Sequence, residues 1–117
     1  MRKHGFTLIE ILLVLSILLT LAVALVTYSF QAWSRAREAA LRQYLYETRG
    51  VALVFHTDHA RYPRDLGELT DGGLRPPRPE YHFVYAGGDA DNFCAWGQAG
   101  QITLRVEAAG LSLGACP

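Results

Sequence analysis

The sequence is poor in several things at once. Its formal charge at neutral pH is zero, with 11 basic side chains against 11 acidic ones, so no basic excess is available to hold a nucleic acid electrostatically. Lysine occurs once, as Lys3. Two cysteines, Cys94 and Cys116, are too few for a disulfide-dense scaffold, though they suffice for one bridge. No glycine or proline interrupts the chain between Phe6 and Arg49. Its serines and threonines lack a His/Asp arrangement, and no G-x-S-x-G, Walker or dinucleotide motif is present, which argues against an enzyme. Internal repeats and low-complexity tracts are absent too. At 117 residues there is room for one small domain. Charged residues at 19% are too many for an integral membrane bundle, and aromatics at 11% too many for a disordered chain.

What is present is unevenly spread. Residues 1–5 (MRKHG) are short and basic, and from Phe6 to Phe30 there are 25 residues with a single charge, Glu10. Inside that run Ile11 to Val26 contains only Ser16 and Thr20 as polar interruptions. A helix of this length rises about 37 Å, enough to cross a hydrocarbon core of roughly 30 Å with some tilt. Arg2 and Lys3 ahead of it predict a cytoplasmic N-terminus by the positive-inside rule. A buried core helix is the bland alternative, and size counts against it, since so small a domain has no interior able to surround it. A conventional secretory signal is the stronger rival, with Ala22-Val23-Ala24 as its cleavage pattern. Glu10 counts against it, because a carboxylate at the start of an apolar run is costly to insert.

Beyond Phe30 the pattern turns amphipathic. Trp33, Ala36, Ala40, Leu41, Tyr44, Leu45, Ala52 and Phe55 recur near helical spacing, with arginines and glutamates interleaved. Glu38 and Arg42 stand i,i+4 in the order that favours an ion pair. The spacing predicts one helix from residue 6 to about 57, its first half facing lipid and its second half covering a small soluble domain at 31–117. Tyr62-Pro63 is expected to stop it. Residues 61–79 carry four of the five prolines and read as a loop, with one short helical turn near Leu66 to Leu69. Strand-like runs at 81–86, 93–96, 102–106 and 111–113 fit an antiparallel meander over 81–117. The fold class expected is α+β: one small antiparallel sheet packed on the C-terminal half of a long helix.

Three clusters invite chemistry. His56, Asp58 and His59 could offer two imidazoles on one helix face to a metal, or the imidazoles could simply sit at a helix C-terminus, where the macrodipole favours cations. Asp89, Asp91 and Asn92 could offer oxygen ligands to calcium, but the EF-hand spacing is absent and a hairpin turn is the plainer reading. Arg35, Arg42, Tyr46 and Arg49 form a basic, aromatic surface that could touch DNA, or a solvated helix face. A Cys94–Cys116 bridge would close the meander and, by chain entropy, contribute roughly 3 kcal/mol. The other reading is two unrelated thiols. A bridge agrees with a domain outside the cytosol.

The stretch Gly5-Phe6-Thr7-Leu8-Ile9-Glu10, followed at once by the long apolar run, resembles the prepilin cleavage and methylation motif of type IV pilins and type II secretion pseudopilins. The segment beginning Tyr62-Pro63, with Leu66 and Leu69, is similar to the loop after the helix in that family. The cysteine pair resembles its C-terminal disulfide loop. The resemblance implies that a prepilin peptidase removes leader residues 1–5, cutting between Gly5 and Phe6, and that Phe6 is then N-methylated. It makes residues 6–30 the membrane and assembly helix, with Glu10 in its first turn. There the carboxylate can pair with the new amine of a neighbouring subunit. At about 4 Å and an effective dielectric near 20 that attraction is about 4 kcal/mol before desolvation losses.

The function implied is a structural subunit of a type IV pilus-like filament, serving motility, adhesion or DNA uptake. A secretion pseudopilin is the alternative, and a minor pilin whose soluble domain binds DNA a further one. Bulk charge does not support DNA as a partner, since residues 31–117 carry 9 arginines against 10 carboxylates. The partners implied are copies of the chain and other pilins in a helical filament, the prepilin peptidase, the pilus assembly machinery, and the inner membrane before assembly. No cofactor and no catalytic residue is implied. In one respect the sequence departs from many major pilins, which carry a glycine and a proline within the apolar helix. Here Leu19 and Thr27 occupy those places, so a straighter helix is expected, or one loosened through hydroxyl bonds from Thr20 and Thr27 to the backbone.

Overall fold

The computed structural model describes residues 7–117, and in chain order it forms α1 (Leu8–His59), α2 (Leu66–Asp71), β1 (His82–Gly88), β2 (Phe93–Ala99), β3 (Ile102–Glu107) and β4 (Gly110–Leu113). The chain divides into two compact units between Trp33 and Ser34. The leader at 1–5 and the Gly5–Phe6 junction lie outside the described residues.

In the first unit, α1 is apolar on every side. Thr7 is its N-cap: the Thr7 hydroxyl accepts the Glu10 amide at 3.2 Å, and the Thr7 carbonyl accepts Ile11. The hydroxyls that interrupt the apolar run are consumed within the helix. Ser16 donates to the Leu12 carbonyl at 2.8 Å, Thr20 to Ser16 at 2.9 Å and Thr27 to Val23 at 3.0 Å. The helix continues through all three positions, so these bonds satisfy polar groups in an apolar surrounding and do not unwind it.

In the second unit, the rest of α1 lays one stripe on the sheet. Leu41, Tyr44, Leu45, Thr48 and Ala52 are buried, at the three- and four-residue spacing that lines one helix face. Thr48 can sit in this stripe, fully buried, because its hydroxyl is satisfied by donating to the Tyr44 carbonyl at 2.9 Å. Trp33, which shares the apolar spacing, is instead 76% exposed. α1 ends at His59, three positions before Tyr62: Ala60 takes a left-handed conformation (φ 58°) and its amide closes on the His56 carbonyl at 2.8 Å. An αL residue after the last turn ends a helix in the usual way, so the proline is not what stops it.

The four strands form one antiparallel sheet in the order β1-β2-β3-β4, the meander expected. β1 and β2 run further than their apolar stretches suggest. A bulge between Tyr85 and Gly87 (φ 119° at the glycine) re-registers β1 so that Gly87 and Gly88 still pair with Cys94 and Phe93. β2 points Phe93, Ala95, Gly97 and Ala99 inward. These are small after the first, and α1 packs close over them: a Cβ on Gly97 would overlap the Leu41 side chain and stand 2.8 Å from the His82 carbonyl. Across the ladder Phe83 faces Gly97, and its ring meets Tyr44 edge-on at 4.9 Å. Leu104 and Val106 of β3 complete the core.

Candidate functional site

The residues that a functional reading turns on fall in two places. One is the apolar part of α1 with Glu10 in its first turn. The spacing Thr7-x-x-Glu10, with the Thr7 hydroxyl on the Glu10 amide, is that of a capping box. It places a carboxylate where the helix dipole is positive. α1 is long and apolar enough to cross a membrane, and none of its most apolar stretch is buried within the chain. Leu8 and Ile9 are each 78% exposed. Burial of that surface must come from outside the chain, at roughly 25 cal/mol per Å² covered.

The other place is the domain face formed by the 61–79 segment. The segment is tied down at several points. Asp65 caps α2 by accepting the Glu68 amide at 2.9 Å, and Glu68 reaches back to the Arg64 amide at 2.9 Å. The Arg61 guanidinium grips both oxygens of Glu68, at 3.2 and 2.8 Å. Those bonds hold the Glu68 carboxyl well below its usual range, at about 2, the Arg61 fork first and the Arg64 amide second. Two tyrosine hydroxyls clamp the segment's ends to the core, Tyr85 on the Pro63 carbonyl and Tyr44 on the Arg75 carbonyl, each at 2.5 Å. Burial pushes the Tyr44 phenol up to about 12 and raises Tyr85 as well. Arg75 also pairs with Glu47 at 2.6 Å. The Asp65-x-x-Glu68 spacing is a helix-start signal legible in sequence; the tyrosine clamps carry none, because their acceptors are backbone carbonyls.

The sequence clusters resolve as follows. His56 and His59 do not converge. The His56 ring lies 4.4 Å from that of Tyr62, with Nε2 at 3.3 Å from the Ala90 carbonyl. The His59 ring stacks on Phe55 at 4.0 Å. Asp89 and Asp91 do not converge either: one Asp89 oxygen accepts the amides of Asp91 and Asn92, at 2.8 and 2.9 Å. Those amides hold the Asp89 carboxyl below its usual range. Among the described residues no group of three metal-ligating side chains gathers. Of the basic surface, Arg35, Arg42 and Tyr46 are exposed, but Arg49 is not free to touch a ligand. Its Nε and Nη2 donate to the Ala108 carbonyl at 3.2 and 2.9 Å, latching α1 to the β3–β4 turn. Glu38 and Arg42 form no ion pair among the described residues, and an exposed pair of that kind gains little.

Cys94 and Cys116 are joined in a disulfide. It ties the segment after β4 to β2, and Arg105 Nη1 adds a bond to the Ala115 carbonyl at 3.3 Å.

Comparison with known proteins bears on both places. Residues 1–26 match the prokaryotic N-terminal methylation motif. The chain is also similar to the type IV wide pilus major component PilA4 of Thermus thermophilus, 28% identical over 93 residues, which cover 80% of this chain and 71% of that protein.

Proposed function

We propose that this chain, a prepilin of the type IV pilin and pseudopilin kind, is a structural subunit of a type IV pilus-like filament. The observation that carries the reading is the apolar span of α1, long enough to cross a membrane, unburied by its own chain and opened by Glu10. Such a span has two states that cover it: lipid before assembly and the spans of other copies after it. In this reading a prepilin peptidase cleaves between Gly5 and Phe6 at the cytoplasmic face, and Phe6 becomes the methylated first residue. The chain waits as a single-pass protein of the inner membrane with residues 31–117 outside. The assembly machinery then draws it into a surface filament with copies of itself and other pilins.

Glu10 is the assembly residue. The free amine created at Phe6 and the carboxylate one turn further on are complementary groups on every copy, and pairing between copies sets the axial register. Contacts of this kind are head-to-tail, so they propagate into a helix when the rotation does not close. The pilus role is favoured over a secretion pseudopilus by the wide-pilus relative, whose name identifies it as a major pilus component. Motility, adhesion and DNA uptake are the tasks such a filament would serve.

The test is to shear surface filaments from cells making the chain as their pilin and to read them by mass spectrometry. The expected result is an abundant filament protein that begins at a methylated Phe6. Recovery of the chain only in the membrane, with residues 1–5 still attached, would refute the reading.

A further inference from the structure

The domain is electrically lopsided along α1. Between residues 34 and 42 there are three arginines and one glutamate, whereas between 54 and 71 there are four carboxylates and two arginines. Both stretches belong to the same compact unit, at opposite ends of its share of the helix. At the first end Arg35 and Arg42 are exposed, and they form no ion pair among the described residues. They stand seven positions apart, two turns of one face, about 10 Å along the axis. The exposed Ala39 lies between them on that face. Arg37 is not part of this pair, for its guanidinium lies near Gly100 of the β2–β3 turn and its Nε is buried.

At the second end a groove of about 410 Å³ opens between α1 and α2. Val51 and Val54 line it with Asp58, Asp71 and His59, and Phe55 lines it too, its ring stacked by His59 at 4.0 Å and lying 5.1 Å under the Arg61 guanidinium. Val54 is 63% exposed there. Asp58 and Asp71 form no ion pair among the described residues, and Glu68 beside them is already engaged by Arg61.

We propose that this groove receives the Arg35–Arg42 face of α1 from a second copy of the chain, Ala39 seating on Val51 and Val54 and the two guanidiniums on Asp58 and Asp71. The fit rests on complementarity of both kinds. Arginine forks match carboxylates bidentately, and a small residue between them lets a helix approach an apolar surface. The Arg75–Pro79 stretch is a weaker occupant, since Arg75 is held by Glu47 and by the Tyr44 hydroxyl. The two surfaces are different and lie at different ends of one unit, so the contact is heterologous and extends a helical filament when its rotation does not close. It rests on the filament reading above and adds the domain-level contact that gives the filament its polarity.

The test uses the full chain as the only pilin of the cell, with sheared filament as the readout. The face is reversed by Arg35→Asp with Arg42→Asp, the groove by Asp58→Arg with Asp71→Arg, and a fourth strain carries all four changes. Each reversal should cut filament yield about tenfold or more, because like charges now meet, and the combination should return it to within about threefold of the starting level. If a reversed groove fails to fold, seen as loss of the Cys94–Cys116 bridge on a non-reducing gel, the neutral pair Asp58→Asn and Asp71→Asn takes its place. That pair should lower the yield about threefold, and more filament should be lost from the unaltered chain as salt rises. Full yield from both reversals would overturn the interlock and leave the filament reading standing. A reversed face that loses membrane retention, beside a groove reversal without effect, would reassign the arginines to lipid headgroups. An unaltered chain that makes no filament would overturn both readings.

Discussion

One helix, α1, solves the same problem in two ways. Beyond Ser34 it buries Leu41, Tyr44, Leu45, Thr48 and Ala52 against its own sheet. Before Trp33 it carries a longer and more apolar surface and buries none of it. The contrast teaches that apolar content alone does not stabilise a chain. What counts is where the covering surface comes from. In the second unit the cover is β2, whose inward positions shrink to Ala95, Gly97 and Ala99 so that the helix can approach. In the first unit the described residues supply no cover, and in the proposed function lipid and then other copies supply it.

The contrast can be broken by mutation at matched leucines. Leu45→Ala removes a fully buried side chain and should destabilise the soluble unit by about 2–5 kcal/mol, measured by denaturant unfolding of the detergent-solubilised chain followed by tryptophan fluorescence. Leu19→Ala, at a side chain 67% exposed, should leave that transition within about 0.5 kcal/mol of its starting value. Equal effects at the two positions would mean that the halves of the helix are not energetically distinct.

Reduction of the Cys94–Cys116 bridge comes next in size. A loop of 22 residues is worth roughly 3 kcal/mol by loop entropy, so Cys94→Ala with Cys116→Ala should lower the soluble unit's stability by about that much. Membrane retention, which depends on the other half of α1, should be unchanged.

The smallest effect is set by pH. Glu68 has its carboxyl depressed to about 2 by Arg61 and the Arg64 amide. A depressed acid contributes stability that is present above its unfolded value, roughly 4.3, and is lost as pH falls towards the folded one. The protection of amides in the 61–72 segment, taken relative to the intrinsic exchange rate at each pH, should therefore fall between pH 5 and pH 2 as Glu68 protonates. Glu68→Gln should exchange faster at pH 5 and show less of that change.

These contrasts also show what a sequence can disclose. The span announces itself by run length, and the first turn by Thr7 and Glu10, because both are local patterns with one physical meaning. The helix stripe is readable at Leu41, Tyr44, Leu45 and Ala52, but Thr48 is hidden by its hydroxyl and Trp33 shares the spacing without the burial. β2 is the hardest element to read. Its outward positions, Cys94, Trp96 and Gln98, are larger than its inward Ala95, Gly97 and Ala99, so size alternation points to the wrong face. The inward residues are small because Leu41 needs the room, a fact held by the helix and not by the strand. The Arg49 latch and the two tyrosine clamps are invisible for a related reason: each ends on a backbone carbonyl, which every residue has.

The central claim is that Glu10 converts an unburied apolar helix into an assembling one. Its most direct test is the quantity of filament sheared from cells whose only pilin is Glu10→Ala, measured beside the chain held in the membrane. The prediction is normal membrane content, an intact Cys94–Cys116 bridge and filament reduced by about a hundredfold or more, the loss expected when an amine is left buried without its partner. Filaments at the unaltered level would contradict it.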